Sequence, residues 1–560
     1  MNVVPVALFF ELSISADNRT LIDDIFMMHI DESNNLLSNA DKEKGPSAIV
    51  DICVNHAKPR TTLIMALCLA LGNAADAVEI TCVGFIMTEM ERTDNISTFN
   101  KEFLSAAVFM GMLLGGVTCG FLSDMFGRKI CLLASLFLNA AAGFASALSP
   151  NIDILIFCRV IGGIGIGGSV PSVFSLGAEI FPAASRGKYL SIIASFWMVG
   201  SIYTAFAAWI MLGDDFSGNK ILPGVDWRAF AVVSALPALM ALILTQLILP
   251  ESPRFLLSKE RYSEVAEVLK LLSGVNLDPH MLVENRSTND QIDENSSHSI
   301  ISMTHNPVSQ ASAPVSVSAT GVTSSPTVHP TAQPVKDAEV AIIESVNTLF
   351  MGNVRRNTML LLSVWFTLSF GSYGLSAWIS TLYVDVGMVN AYADTFIYSL
   401  ATLPGNLLTI ALIDSIGRQR MLSWGMILAA VSVVGFAVDN SDVSVVLISS
   451  SLFNCFSVIG WNALDCLSCE CFPTKVRTTA MGLLAASGRI GAISAQFVNG
   501  TLEGNIPLLL FVTCGCTVAG GLLAAMLPRD SSGVSLSNSD ADGDGDADEK
   551  ERRNSNSRST

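Results

Sequence analysis

Twelve apolar segments, each about 20 residues long, are separated by short charged turns in this chain of 560 residues. A helix of about 20 apolar residues spans the hydrocarbon core of a bilayer. Such a helix satisfies its backbone hydrogen bonds internally, as an apolar solvent requires. The chain is therefore predicted to be an all-α polytopic membrane protein with twelve transmembrane helices. We number these spans 1 to 12 and predict them at residues 62–87, 103–122, 130–149, 154–175, 189–212, 228–249, 358–382, 391–413, 421–438, 443–468, 479–500 and 506–527.

The composition excludes several classes of protein. The chain is 51% hydrophobic and only 14% charged, whereas a soluble domain carries about 25% charged residues. Its net charge of −17 argues against a nucleic-acid partner. The 12 cysteines are scattered, mostly within apolar segments, which is not the pattern of a secreted disulfide framework. All six histidines lie outside the apolar segments, so a buried histidine ligand or proton relay is not expected.

Two charged motifs each occur twice. Asp-x-x-Gly-Arg is found at residues 124–128 and 414–418, after spans 2 and 8. Glu-x-Phe-Pro-x-x-x-Arg is found at residues 179–186 and 470–477, after spans 4 and 10. Each second copy follows the first at nearly the same spacing, which indicates a duplication of six helices plus six. Because six is even, the two halves are parallel and all four motifs lie at one face of the membrane, here named the motif face. Parallel repeats around a central cavity are typical of transporters that alternate access between two faces.

The motifs carry candidate gate residues. Glycine allows a tight bend between two spans, and Asp caps a helix or pairs with Arg from a facing loop. The alternative is that the Arg residues only anchor the topology. Both motifs occur in the same order in the two halves, each time with matched Glu and Arg residues. This repetition favours a gate of charged contacts at the motif face. The predicted gate residues are Asp124, Gly127, Arg128, Glu179, Arg186, Asp414, Gly417, Arg418, Glu470 and Arg477.

The orientation follows from the distribution of Lys and Arg near the span ends. The motif face carries most of them, including Lys58, Arg254 and Arg355, while the opposite face has few, such as Arg92 and Lys101. This asymmetry predicts that the motif face and both termini are cytoplasmic.

The spans divide the chain into five predicted segments. Residues 61–275 form the first six-helix half, and residues 351–528 form the second. Between them, residues 276–350 form a largely disordered cytoplasmic linker, because its central part is rich in Ser, Thr, Pro and Asn. The N-terminal segment 1–60 and the acidic tail 529–560 are also predicted to be disordered and cytoplasmic.

The acidic tail contains one calcium-loop pattern. Residues 540–551 place Asp at positions 1, 3 and 5, Gly at position 6 and Glu at position 12. No amphipathic helix flanks this stretch, so a solvated acidic tail is the favoured interpretation.

Charged side chains inside apolar spans are the first candidates for a binding site. Asp76, Glu79, Arg159, Asp465 and Arg489 lie within predicted spans, where each charge costs roughly 2.5–3.5 kcal/mol on insertion scales. They form either buried ion pairs that fix the helices or a polar cavity that binds substrate or a coupling ion. The second interpretation is favoured.

The acidic pair on span 1 suggests a route for proton coupling. Asp76 and Glu79 share one helix face, and only carboxylates can carry a proton in these spans near neutral pH. Repulsion between the two favours protonation of one, while Arg159 at similar depth holds the other ionised. The alternative is facilitated diffusion, with the three charges as a static structural cluster.

Further segments resemble a known family. LPESPRFLL at 249–257 and CRVIGGIGIGG at 158–168 are similar to segments of the major facilitator superfamily, in its sugar porter and organic-ion transporter branches. A closer resemblance, to the synaptic vesicle glycoproteins and their related proteins, rests on DAVEITCVGF in span 1, SFWMVG at 195–200, SFGSYGLSAW in span 7, LPGN at 403–406, WNALD at 461–465 and RTTAMG at 477–482.

This resemblance implies a cavity lined by aromatic residues. It places Trp197, Tyr373 and Trp461 at the cavity, with Asn462 in the same motif as Trp461. The family often has two aromatic residues in the span 7 motif, where this chain has Ser372 before Tyr373. In the vesicle glycoproteins a large luminal domain separates spans 7 and 8, whereas this chain has only a short stretch there.

The predicted function is transport of a small organic solute, such as a sugar, an organic ion or a related metabolite, by alternating access. The alternative is a transporter-like membrane or vesicle-trafficking protein with little flux. A membrane-embedded enzyme has no support, because the sequence shows no metal set, cofactor loop or Ser–His pair. We expect a monomer without cofactor or metal, whose partners are the bilayer, the solute and, in the coupled case, protons. Its location is the plasma membrane or the membrane of an intracellular vesicle or vacuole.

Overall fold

The computed structural model describes residues 46–94, 96–214, 220–280, 282, 346–351, 354–439, 441–472 and 474–527. The acidic tail with its calcium-loop pattern, most of the predicted linker and the chain before residue 46 lie outside these residues.

Twelve helices in the described part of the chain are long and apolar enough to cross a membrane, which confirms the predicted all-α fold. The helix of span 2 continues to Phe126, that of span 8 continues to Ile416, and that of span 11 begins at Thr474. The spans are Pro59–Asp94, Thr98–Gly120, Arg128–Ala147, Ile152–Ile180, Arg186–Leu212, Trp227–Ile248, Val354–Asp385, Ala391–Ile413, Arg418–Val438, Val443–Glu470, Thr479–Leu502 and Ile506–Ala525.

Span 8 is interrupted, although the sequence predicts one continuous helix there. Ala391–Leu400 ends at Ala401, and Thr402–Ile416 begins directly after it. Pro404 lies in the first turn of the second helix, where a missing N–H breaks no intrahelical hydrogen bond. The break thus places Pro404 where its missing N–H leaves no hydrogen bond unmade, although Pro171 and Pro237 lie within uninterrupted helices.

The connection between spans 7 and 8 is short, as the sequence predicts. Residues 386–390 join the two helices. Gly387 has a φ of +79°, and the N–H of Met388 donates to the carbonyl of Tyr383 at 2.9 Å. Such a turn leaves no room for a large inserted domain.

Polar side chains begin several spans at the opposite face of the membrane. Ser97 caps span 2 by accepting a hydrogen bond from the N–H of Asn100 at 3.4 Å. Asp226 caps span 6 by accepting from the N–H of Ala229 at 3.1 Å, and Asn505 caps span 12. These oxygens satisfy N–H groups that have no partner within the helix, which fixes where each span begins.

The described chain forms two compact units. The smaller unit comprises the described parts of residues 1–65, 176–190 and 250–334, and the larger comprises residues 66–175, 191–249 and 335–560 where they are described.

Three short helices, Pro46–Asn55, Pro253–Ser258 and Tyr262–Ser273, organise the smaller unit. Arg254 Nη2 lies 2.8 Å from Asp51 Oδ1 and joins the first helix to the second. The helix Pro46–Asn55 contradicts the prediction that all of residues 1–60 are disordered. It was missed because it is short and because the residues that stabilise it lie far along the chain.

Glycines bring spans 2 and 4 of the larger unit into backbone contact. A Cβ on Gly111 would lie 2.1 Å from the carbonyl oxygen of Val160, and one on Gly163 would lie 2.2 Å from that of Val108. Small residues let helix backbones approach closely in a bilayer. The glycine-rich segment of span 4 therefore serves helix packing.

Within the larger unit, the two halves contact each other near the opposite face. Tyr392 of span 8 donates to Glu89 Oε2 of span 1 at 2.7 Å. Lys101 of span 2 forms an ion pair with Glu503, which follows span 11. We name these four residues the opposite-face latch.

Candidate functional site

Asp76 of span 1 is fully buried and held by neutral donors. Its carboxylate accepts a hydrogen bond from Asn139 Nδ2 of span 3 at 3.1 Å and one from Ser169 Oγ of span 4 at 2.5 Å. The carboxyl group therefore joins three spans of the first half. Neither of these partners carries a charge of its own.

Glu79 forms a buried ion pair with Arg159 of span 4. Arg159 Nη1 also lies 3.3 Å from Cys82 Sγ, while its Nε and Nη2 have no hydrogen-bond partner in the described part of the chain. A Cβ at position 162 would lie 3.1 Å from Glu79 Oε1, so Gly162 leaves space for the carboxylate. Arg159 thus depends on Glu79 for neutralisation.

The sequence grouped Asp76, Glu79 and Arg159 as one set of charges. The structure separates them into an ion pair and a carboxyl group bound by an amide and a hydroxyl. Of the two carboxylates on span 1, Glu79 is the one that forms the ion pair with Arg159.

Tyr373 of span 7 lies at the centre of an aromatic cluster that both halves form. Its ring centroid is 5.3 Å from that of Phe109 in span 2 and 5.4 Å from that of Trp461 in span 10. The guanidinium of Arg489 in span 11 lies 5.6 Å from the same ring. These distances are within the range of aromatic pairing and cation–π attraction.

Trp461 is fixed in orientation by its neighbours. Its indole Nε1 donates to Ser372 Oγ at 2.9 Å, and Trp365 packs edge-on against it with ring centroids 5.5 Å apart. The serine that stands where the related family often has an aromatic residue therefore orients the tryptophan. Its hydroxyl also accepts the indole N–H, which would otherwise lack a partner.

Amide side chains join span 10 to span 8. Asn462 Nδ2 donates to Asn406 Oδ1 at 2.9 Å and lies 3.4 Å from Thr409 Oγ1. Asn406 Nδ2 in turn lies 3.2 Å from Met198 Sδ in span 5. Trp197, the neighbour of Met198, is half-buried and packs against the main hydrophobic core.

Asp465 lies within span 10, about one turn from its motif-face end, and its side chain is exposed. Its role as a binding residue stays a prediction. Arg489 of span 11 is half-buried, and the contact that places it is the one with the ring of Tyr373.

The two Asp-x-x-Gly-Arg motifs form the same turn. Gly127 has a φ of +113° and Gly417 a φ of +93°, and each is the single residue between two helices. Positive φ at these angles favours glycine. The duplication is thus visible in the backbone geometry of both turns.

Two gate candidates of the second half are in contact. Arg418 Nε lies 3.5 Å from Glu470 Oε1. Arg477 donates through Nε and Nη2 to the carbonyl of Phe472, both at 3.3 Å. The first contact joins the two motifs of one half at the motif face.

The other gate candidates lie at the span ends. Arg128 begins span 3 in the larger unit, while Glu179 and Arg186 lie at the end of span 4 and the start of span 5 in the smaller unit. The side chains of Asp124 and Asp414 lie outside the described residues. The gate as a whole stays a prediction.

Several residues of the site were not predicted from the sequence. Asn139, Ser169 and Asn406 are polar residues within apolar spans, and that pattern alone could have marked them. Phe109 carries no such signal, because a phenylalanine in a span is an ordinary packing residue.

Comparison with known proteins identifies the family. The profile of the Sugar (and other) transporter family matches residues 66–540. Among relatives, synaptic vesicle glycoprotein 2B of Rattus norvegicus is 27% identical over 612 residues, covering 86% of this chain and 85% of that protein. Synaptic vesicle glycoprotein 2C of Homo sapiens is 27% identical over 608 residues, covering 86% and 80%.

Solved structures share the fold. The inward-open xylose transporter XylE of E. coli matches with a TM-score of 0.58 at 20% identity, covering 86% of this chain and 98% of that one. A D-xylose–proton symporter matches with a TM-score of 0.58 at 18% identity, covering 85% and 99%. The twelve spans, the duplicated motifs and the family match agree, and the chain belongs to the Sugar (and other) transporter family, with the major facilitator fold.

Proposed function

We propose that this chain carries a small polar organic solute of the sugar-like class across a membrane by alternating access. Its family membership supports transport, and xylose transporters share its fold. The observation that carries the proposal is the cluster around Tyr373, to which Phe109 of the first half and Trp461 and Arg489 of the second contribute. A solute bound there contacts both halves, so its binding depends on their relative position.

The chemistry of the cluster suits such a solute. The faces of Tyr373 and Trp461 offer apolar surface to the C–H groups of a ring. Arg489 donates hydrogen bonds to hydroxyl groups, and Asn462 and Asp465, on the same span as Trp461, are proposed to add an amide and a carboxylate. A few polar groups in an otherwise aromatic site fix the orientation of a ligand.

A second candidate function is a membrane or vesicle protein with little flux. The relatives named synaptic vesicle glycoproteins favour it, since they match over most of this chain. The two functions differ in one measurable quantity, the rate at which a solute crosses a membrane that contains the purified protein.

Uptake into proteoliposomes tests the transport proposal. A panel of sugars and organic ions should include at least one solute that enters faster than into protein-free vesicles. Trp461→Ala should lower the uptake rate of that solute about tenfold. An aromatic contact contributes about 0.5–1.5 kcal/mol in addition to the free energy of burying its apolar surface. Trp424→Ala is the control, since Trp424 is 60% exposed on span 9. Absence of flux for every solute would favour the second candidate function.

We also propose that transport is coupled to protons through span 1. Protonation of Asp76 removes a buried charge while the ion pair of Glu79 with Arg159 remains intact. The carboxyl group of Asp76 joins spans 1, 3 and 4 through Asn139 and Ser169. A relative movement of these spans during transport would therefore change how strongly Asp76 binds a proton.

The motif face is proposed to be cytoplasmic, with the motif residues as its gate. The test uses cells that carry the protein at the surface, with tags at both termini and within residues 290–330. Antibodies should reach these tags only after the plasma membrane is permeabilised. Exposure of the tag at 290–330 on the outside would contradict the orientation and the division into two halves.

A further inference from the structure

A carboxylate lies in the seam between spans 2 and 11, where the two halves meet near the opposite face. Glu102 of span 2 is only 8% exposed. A Cβ on Gly500 of span 11 would lie 2.6 Å from Glu102 Cδ, so the glutamate fills the space that the glycine leaves. Phe103 packs against Phe497 in the same seam, with ring centroids 5.2 Å apart. The carboxylate is therefore enclosed by the second half while this seam is closed.

The lysine next to Glu102 is paired with other carboxylates. Lys101 forms ion pairs with Glu91 of span 1 and with Glu503, which follows span 11. Thr98 Oγ1 also donates to Glu503 Oε2, at 3.3 Å. In the part of the chain that the structure describes, the side chain of Glu102 has neither a hydrogen-bond donor nor an ion-pair partner.

Closure of the seam collects more negative than positive charge. Glu91 and Glu102 belong to the first half, while Glu503 and the exposed Asp385 at the end of span 7 belong to the second. Lys101 balances one of these four charges. Burial of an ionised carboxylate without a partner is costly, and a bound proton removes the charge. The neutral form of Glu102 therefore suits the closed seam.

The duplication supplies an internal comparison for this seam. The motif residues Arg186 and Arg477 are equivalent. Counted from them, Gly500 of span 11 corresponds to Trp209 of span 5. Trp209 stacks on Phe396 of span 8, with ring centroids 5.5 Å apart. Aromatic rings thus close the related seam between spans 5 and 8, whereas the seam between spans 2 and 11 holds a group that can bind a proton.

We propose that Glu102 is a proton-binding site that links closure of the opposite face to proton uptake from that side. The proton binds as the seam closes on Gly500, and it leaves when the halves separate and water reaches the carboxylate. Acid therefore stabilises the closed seam, and the closed seam loses stability as the pH rises. The inference rests on the alternating access of the proposed function. The site differs from Asp76, whose hydrogen-bond partners belong to the first half alone.

Hydrogen exchange of the purified full chain tests the proposal. Amide protection at the opposite-face ends of spans 2 and 11 is measured at about pH 5.5 and about pH 7.5, where exposed glutamates stay largely ionised. Labelling times are scaled to the intrinsic exchange rate at each pH. We expect about tenfold stronger protection at the lower pH, since one linked proton shifts an equilibrium by up to about tenfold per pH unit. Glu102→Gln cannot ionise and should be strongly protected at both pH values.

The matched control is Glu91→Gln, which removes a carboxylate that pairs with Lys101 within the first half. It should keep the pH dependence of the native chain. Gly500→Ala displaces the side chain of Glu102 and should lower the protection at the acidic pH, while its unfolding temperature shows whether it is folded.

Three results would overturn the proposal: protection in the native chain that ignores pH, an undiminished pH dependence in Glu102→Gln, or its equal loss in Glu91→Gln. Folded Gly500→Ala with native protection at both pH values would overturn it as well. Exchange is measured without solute, so absence of flux beside the expected pH dependence would contradict the transport proposal and support this one.

Discussion

At the scale of single residues, the buried charges of span 1 have unequal surroundings. Glu79 has a cationic partner, whereas Asp76 is bound by an amide and a hydroxyl. A buried ion pair that loses one partner leaves an uncompensated charge, at a cost of about 3–5 kcal/mol. Asp76 can change its protonation state without such a loss, which makes it the better candidate for the coupling group.

Uptake against an imposed pH gradient checks the coupling. The native chain should accumulate its solute above equilibrium, by up to about tenfold per pH unit for one proton. Asp76→Asn should abolish accumulation while solute exchange across the membrane continues, because the amide imitates the protonated carboxyl group, with one acceptor and one donor, and cannot take up or release a proton. Asp153→Asn, at an exposed carboxylate of span 4, is the control. Native uptake that never exceeds equilibrium would show facilitated diffusion instead.

The sequence revealed the charges of this site but not their pairing. Hydropathy places Asp76, Glu79 and Arg159 in spans, because charges stand out in an apolar segment. The rotation of each helix decides which carboxylate meets Arg159, and that rotation depends on packing contacts such as Gly162 against Glu79. Asp465 illustrates the same limit, since membership of a span does not determine whether a side chain is buried or exposed.

At the scale of helices, the spans were predictable and the short helix before them was not. Each span carries its own signal, because it must bury its backbone in an apolar medium. The helix Pro46–Asn55 has no such signal. It is stabilised by contacts such as that of Asp51 with Arg254, whose sequence separation of 203 residues hides the pairing.

Backbone contact between spans 2 and 4 leads to a prediction about stability. Gly163→Ala places a Cβ 2.2 Å from the carbonyl oxygen of Val108, so one helix must move. Overpacking of this kind costs about 1–3 kcal/mol, and the unfolding temperature in detergent should fall. Gly120→Ala is the control, because a Cβ at that position of span 2 meets nothing within 4 Å. Equal unfolding temperatures for the two variants would contradict the importance of this contact.

At the scale of the whole molecule, the halves of the larger unit are joined near the opposite face. Thr88 Oγ1 of span 1 lies 2.7 Å from Ser380 Oγ of span 7, next to the latch. In the proposed cycle of alternating access, such polar contacts between the halves must break when the opposite face opens. We therefore expect them to influence how much of the time that face is closed.

The ion pairs of Lys101 allow this idea to be tested with two similar variants. Lys101 pairs with Glu503 of the second half and with Glu91 of its own half. Glu503→Gln removes a charge that holds the halves together, whereas Glu91→Gln removes one within a single half. A hydrogen bond to a charged group contributes about 1.5–3 kcal/mol, so we expect Glu503→Gln to raise the amide hydrogen-exchange rate at the opposite-face ends of spans 2 and 11 about tenfold or more. Glu91→Gln should leave the exchange near span 11 unchanged. If both variants accelerate exchange equally, the cluster stabilises the helix ends and does not latch the two halves.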